Sequence, residues 1–499
     1  MRRIAGPANW PRLALGLAVP AVLVVAGGGS ALAVSGPAAG TAGGGSAVTC
    51  TVHWVGRANL PDWTTATNWS TGKVPGPADD VCVGTGVDVL TDVSIQVHSL
   101  RLGPEAGIAL KGTTSKPLTA AVATFVDMTG PYSRIDLSDA SVSAARINDS
   151  GGGSIYTDGN CALISAHIVF GSGGGVQAAN GTTKLSSLAQ LSNGTLTGVS
   201  LNTSGAVLVL PGDITHLVAA NVGVGANSTI QDTGGHNALT GLASIDTQSS
   251  LTADSALSLT GPLNAGGNVT VGPTTLAVGG TLTQAQGTLS LWAGGPATVS
   301  ASQVVIGQAA SVLANQGTIT GNLVNNGSVN VFGLKVAGSY TQSSTGTLGA
   351  ALDEPLAVRG QATLAVTVNS GQADPSPGAT APVITFGSVS GNFTSHGLGI
   401  NLLTKPQKID VIITPQIASS ATTVTSGEQV TVSGASFRLG ESVSIFFDHG
   451  AGTPLATATA GYFGRFSAPV TIPRTPAGQH KLLAVGAQGS RAHFTITVS

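Results

Sequence analysis

From about residue 83 to 370, short runs of Val, Leu, Ile, Ala and Thr alternate with polar residues. Gly, Asn, Asp or Ser interrupts the runs every few positions. Val87-Asp88-Val89-Leu90, Leu257-Ser258-Leu259 and Val329-Asn330-Val331 are examples. An apolar period of two sends alternate side chains to opposite faces of an extended chain, so these runs predict short, half-buried strands closed by turns. The unbroken run Val207-Leu208-Val209-Leu210 predicts a strand buried on both faces. No segment carries a long 3.6-residue apolar period, so long helices are not expected.

The pattern also repeats. Asn268-Val269-Thr270-Val271 leads to Leu276-Ala277-Val278-Gly279-Gly280, then Thr283-Gln284 and Gly287-Thr288-Leu289. Ser328-Val329-Asn330-Val331 leads in the same order to Leu334-Lys335-Val336-Ala337-Gly338, Tyr340-Thr341-Gln342 and Gly346-Thr347-Leu348. Recurrence at a fixed period is the mark of a solenoid, and about sixty residues make three coils at roughly twenty residues each. The expected fold is therefore all-β: a parallel, right-handed β-solenoid over 84–415, in which small branched side chains stack coil upon coil. A tandem of antiparallel sandwiches would instead show units of about 100 residues, each with a buried aromatic anchor. The long aromatic-poor stretch speaks against it.

Both ends differ in texture. Residues 48–83 hold Trp54, Trp63 and Trp69 together with Asn68-Trp69-Ser70 and Asp79-Asp80, and are expected to cap the open end of the stack. A Pro/Gly-rich insertion is expected at 371–382. From 416 to 499, seven or eight strand-like runs in quick succession predict an Ig-like sandwich. The runs include Gln429–Ser433, Val443–Phe447, Phe463–Phe466 and Pro469–Ile472. No cysteine pair is present there, so it is not of the antibody type.

Composition supports this division. The chain of 499 residues is 42% hydrophobic but only 8% charged and 4% aromatic, with 71 glycines and net charge −2. Disorder needs low hydrophobicity and high net charge, whereas mean hydropathy here is +0.32. With 20 basic and 22 acidic residues and no cationic cluster after the N-terminus, no electrostatic footprint for nucleic acid exists. The N-terminus reads as a signal peptide over 1–33. Arg2, Arg3 and Arg12 precede an apolar stretch from Leu13 to Ala26, and Ala31-Leu32-Ala33 has the small-x-small cleavage pattern. Pro20 and Gly27-Gly28-Gly29 make that stretch short and broken for a bilayer span. Residues 34–47 read as a flexible Gly/Ala/Ser leader. The mature chain is expected to be secreted, without a membrane span, and at most loosely associated with the cell surface. Cys50 and Cys82 are the expected disulfide, and Cys161 is expected as a buried small hydrophobe.

Three segments resemble bacterial secreted and autotransporter-type, adhesin-like β-helix proteins. They are Trp54 to Asp80-Val81, Gly317-Thr318-Ile319 to Gly346-Thr347-Leu348, and Val358-Arg359-Gly360 to Gly391-Asn392-Phe393. The C-terminal residues Val432-Ser433-Gly434, Phe437, Gly440-Glu441, Gly461, Gly464, Pro473 and Gly478 resemble Ig-like modules on exported proteins of high-GC Gram-positive bacteria. The resemblance implies β-helical architecture and surface location. It fixes no ligand, and no C-terminal outer-membrane barrel accompanies it.

The chain carries little recognisable catalytic chemistry. Polysaccharide hydrolases on β-helices need two or three acids on adjacent coils. Here Asp79-Asp80 lies in the Trp-rich opening, and Gly235-His236-Asn237 is not the triplet that such enzymes carry. Asp136, Asp139, Asp149 and Asp158 form a conceivable calcium set, but Asp in Gly/Ser-rich turns more often caps the turn. His53, His449 and His480 read as solvated loop residues. No catalytic, cofactor-binding or metal-binding residue is assigned. The leading expectation is a non-catalytic structural or adhesive protein that meets a polysaccharide or cell-surface proteins. Two alternatives are a polysaccharide-cleaving enzyme and a carbohydrate-binding protein using Trp54, Trp63, Trp69 or Trp292.

Overall fold

A computed structural model describes residues 49–499 except 57–60, 292–294, 352–353, 366, 372–376, 394 and 397. The expected signal peptide and leader lie outside the described residues, as do Trp292 and the middle of the Pro/Gly-rich insertion. The described chain is built of β-strands. Its helical elements are two single 3-10 turns, Ala66–Asn68 and Tyr462–Gly464.

The main body is a parallel β-solenoid. Each early turn lays one strand on each of three sheets. Ser99–Leu102, Gly107–Lys111 and Leu118–Val122 form one such turn. Phe125–Met128, Arg134–Ser138 and Ala140–Ser143 stack on them in parallel register as the next. The first sheet carries Asp80–Val83 and its successors, the second Asp88–Thr91, the third Ile95–Val97.

The second sheet shows why this sequence makes this fold. Its register aligns Val89, Ile108, Ile135, Ile155, Val176, Leu201 and Val222. The column continues through Leu251, Val269, Leu289, Val312, Val329, Leu348 and Val368. Every member is at most 2% exposed. Each side chain rests on its counterpart one turn away, and full burial of a Val, Leu or Ile contributes about 1.5–3 kcal/mol. Val269 and Val329, which head the two copies of the repeat, are three turns apart in this column.

The repeat's glutamines have a structural task. Thr281–Leu291 runs through a corner as one strand beside both Leu263–Ala265 and Asn268–Val271 of the preceding turn, and Gln303–Asn315 pairs with it across a register shift at Gln284/Gln286. Gln284 points inward, fully buried, and its amide donates to the carbonyls of Gly267 and Gln286. Two later turns repeat the device. Asn325 donates to Tyr340 Oη (3.0 Å) and to the Thr347 carbonyl (2.9 Å), and accepts from Gly327 N. Gln342 donates to the Gly346 carbonyl at 2.8 Å. The corner bends the backbone away from its ladder, and these buried amides satisfy the carbonyls left behind. At Gly346 a Cβ would run into the Asn325 carbonyl, so glycine is required there.

Three expectations about local structure need correction. Val207 and Val209 are only half-buried while Leu208 and Leu210 face the core, so this run is a one-sided strand. The outer face of the third sheet is left open, so only alternate residues enter the core. In the Pro/Gly-rich stretch, strand Thr380–Thr385 has already begun and includes Pro382. Its neighbour Lys408–Ile413 is antiparallel and pairs across a register shift between Pro382 and Ile384, an irregularity that spares the missing N–H. Finally, Phe463–Phe466 is not a strand: the 3-10 turn Tyr462–Gly464 precedes strand Phe466–Thr471.

Both ends of the stack are covered. Val52–His53 pairs with Asp80–Val83, and Asp62 bridges to Leu90 on the second sheet. Trp54, Trp63 and Trp69 pack edge to face at centroid distances of 4.8 and 4.7 Å. Trp69 Nε1 donates to the Trp63 carbonyl at 2.8 Å. At the far end Ile400–Lys405 and Lys408–Ile413 form a hairpin on Thr380–Thr385. Beyond Gln416 a three-stranded and a five-stranded sheet surround a separate core that includes Val432, Phe437, Val443, Ile445 and Phe466.

Candidate functional site

The outward residues of the second sheet line up turn upon turn in two columns. One column runs Ser154, Gly175, Ser200, Asn221, Ser250, Asn268, Thr288, Ser311, Ser328, Thr347. The parallel column runs Tyr156, Gln177, Asn202, Gly223, Thr252, Thr270, Ser290, Leu313, Asn330, Gly349. Neither contains a charged residue. Strands about 4.8 Å apart make this an uncharged strip of roughly 45 Å.

The strip is organised locally. Asn202 donates to Ser200 Oγ (3.0 Å), and Asn330 donates to Ser328 Oγ (2.9 Å). In both cases glycine follows one turn later, Gly223 and Gly349, where a Cβ would strike the asparagine oxygen. Other contacts link successive turns: Ser250 to Asn221 (2.7 Å) and Thr288 with Ser311 (3.0 Å). These pairings hold the hydroxyls and amides in place, while their remaining donor and acceptor capacity faces outward.

Within these two columns charge appears only in the N-terminal turns, at Asp88, Arg134 and Asp136. Arg134 pairs with Asp88 across Gly107, and Arg134 Nε lies 3.4 Å from Asp136. Gly107 is needed here, because a Cβ would meet both Asp88 and Arg134. Burial pushes the Asp136 carboxyl above its ordinary pKa, against the pull of Arg134. On the first sheet Arg101 and Asn148 flank Asp127 at 3.5 and 2.8 Å.

The acids noted in the sequence are turn and rung partners. Asp149 Oδ1 accepts from Gly151 N and Gly153 N, and Oδ2 from Gly171 N. Asp139 accepts from Asn160 N, and Asp158 from Asn180 Nδ2. With Asp136 on Arg134, the four do not share one site. Asp79 accepts from Gly76 N. Asp80 accepts from Ser99 Oγ and sits 2.8 Å from His98 Nδ1, and these contacts hold it below its ordinary pKa. Asp232 caps the turn that carries His236. Asn180, Asn193 and Asn227 take positive φ in turns, and Asn68 is buried.

Trp54, Trp63 and Trp69 are buried at 9%, 1% and 1% exposure, so their rings pack against each other and offer no open face. Cys50 and Cys82 are disulfide-bonded with Cα atoms 5.8 Å apart. Cys161 is buried, and its thiol pKa is pushed up by that burial. His480 departs from expectation. It lies in strand Gly478–Gly486, stacked on Phe447, with Nδ1 2.7 Å from Asp448. Its partner is 32 residues away in sequence, and no local pattern announces the pair.

No protein-family model matches this chain, and no curated protein shows significant similarity to it.

Proposed function

We propose that this chain is an exported, non-catalytic structural or adhesive protein whose uncharged strip lies along an extended neutral polysaccharide. The carrying observation is the pair of outward columns, free of charge from Ser154 to Gly349. A sugar polymer presents hydroxyls that both donate and accept, and Ser, Thr, Asn and Gln answer in kind. A charged ligand would need complementary charge, and the strip has none. Export is supported by the signal-like residues 1–33 and by the Cys50–Cys82 bond, which suits an oxidising compartment. The eight strands beyond Gln416 and their separate core support an Ig-like spacer or attachment module.

The test is retention of the mature chain on an array of neutral and acidic glycans, with a reducing-sugar assay on each glycan retained. Binding of neutral polymers without release of reducing ends is expected. Cleavage of any retained glycan overturns the non-catalytic reading, and retention of acidic glycans alone overturns the assignment of the strip.

A further inference from the structure

Among the described residues one group of three side chains could hold a metal ion: Cys50, His53 and Cys82. Cys50 and His53 stand three residues apart in the sequence, and the fold brings Cys82 to them. Parallel pairing of Val52–His53 with Asp80–Val83 sets His53 directly beside Cys82. Side chains of directly paired residues leave a sheet on the same face. Cys50 reaches the same point from two residues before the strand, and the three ligand atoms lie within 4.8 Å of one another.

The histidine is poised for such a role. Its backbone is fixed from both sides by Ser70: His53 N donates to Ser70 Oγ at 3.0 Å, and Ser70 N donates to the His53 carbonyl at 2.9 Å. Its side chain is exposed, and the ring makes no hydrogen bond to the described residues. Two sulfurs and one imidazole nitrogen are a zinc ligand set. Zn–S bonds of about 2.3 Å and Zn–N bonds of about 2.0 Å place tetrahedral ligands roughly 3.5–3.8 Å apart. Two thiols released from a disulfide separate to about that distance.

We propose that Cys50, His53 and Cys82 form a redox-gated site, a disulfide when oxidised and a Zn²⁺ site when reduced. An external dithiol supplies two electrons and two protons and is itself oxidised to a disulfide, while the Cys50–Cys82 S–S bond breaks to give two thiols. Zn²⁺ then replaces the two thiol protons, which go to solvent. Two S–Zn bonds and one N–Zn bond form, and water takes the fourth position. In either state the strand Val52–His53 stays fastened to the first turn of the solenoid.

Cobalt reports the site. The full chain, reduced and kept anaerobic, is titrated with Co²⁺ and then with Zn²⁺. One equivalent of Co²⁺ is expected to produce sulfur-to-cobalt charge-transfer absorption that Zn²⁺ abolishes and that the oxidised chain never shows. His53→Ala leaves the disulfide intact in the oxidised protein. In the reduced protein it is expected to weaken Co²⁺ binding by at least about 100-fold, the upper end of what loss of even a supporting partner costs. Cys161→Ser is expected to leave the titration unchanged. Absence of the absorption, equal affinity in His53→Ala, or loss of the signal in Cys161→Ser would each overturn the proposal.

Discussion

At the scale of single residues, the buried charges of the C-terminal sheets make the sharpest test. Glu441 is fully buried and accepts from the backbone N–H groups of Arg438 (3.0 Å), Gln488 (2.7 Å) and Ser490 (3.3 Å). Burial works to raise its pKa. The three backbone donors outweigh it and hold the carboxyl below its ordinary value. A depressed carboxylate contributes stability that is present above the unfolded pKa of about 4.3 and is lost as pH falls through the folded value. Glu441→Gln is expected to cost about 2 kcal/mol at neutral pH, because an amide turns a donor toward backbone donors. The difference should shrink below pH 4, as read by calorimetric unfolding. His480 has the opposite sign. Its hydrogen bond to Asp448 raises its pKa, so its contribution is full below about 6.5 and fades as pH rises through the folded value. His480→Asn should therefore matter at pH 5.5 and matter little at pH 9. An equal effect at both would contradict the pairing. The burial of Cys161 is legible in the sequence, and the role of His480 is not. Burial of a lone thiol follows from its apolar neighbours, whereas the Asp448 contact exists only after two strands pair.

Strands and turns were legible where the signal is local. The period-two runs specify one inward face per strand, and the three-coil spacing of the repeat is visible in the chain. The corner amides were visible only as a recurring Thr-Gln; what they satisfy is a backbone bend that no residue pattern describes. The continuous run at 207–210 misled for a related reason: apolar outward residues on an uncovered sheet look like a two-sided core. Stacked turns contact their neighbours alone, so damage should stay local. Leu251→Ala is expected to cost about 2–5 kcal/mol. Amide exchange should accelerate in the adjoining strands Asn221–Val224 and Asn268–Val271, while Arg134–Ser138 keeps its protection. Loss of protection in Arg134–Ser138 would show that the stack melts as one unit. Asn325→Leu leaves the Thr347 carbonyl and Gly327 N–H without their side-chain partner, and exchange at Gly327 should quicken first.

Across the whole molecule, scarce charge and scarce aromatics have one origin. A narrow core stacked turn on turn admits Val, Leu, Ile and Ala. The three tryptophans of the cap are used to close an end, where there is room for them. In the two outward columns of the second sheet, charge sits in the first turns, and from Ser154 to Gly349 the positions are uncharged, chiefly Ser, Thr, Asn and Gly. Which face is long and uncharged could not be read from the sequence, because the column emerges only when register aligns residues about twenty positions apart.

The central claim is that this strip binds a neutral polymer. The direct measurement compares the mature chain with the pair Thr252→Arg/Thr270→Arg on the strip, and with Thr119→Arg on the third sheet as a control, for retention on the neutral polysaccharide that wild type binds best. Salt is raised to 1 M, where the Debye length falls to about 3 Å. Wild type and the control should bind equally at both salt concentrations, and the strip variant should lose at least about tenfold in affinity. Undiminished binding by the strip variant, or wild-type binding abolished by salt, would contradict the claim.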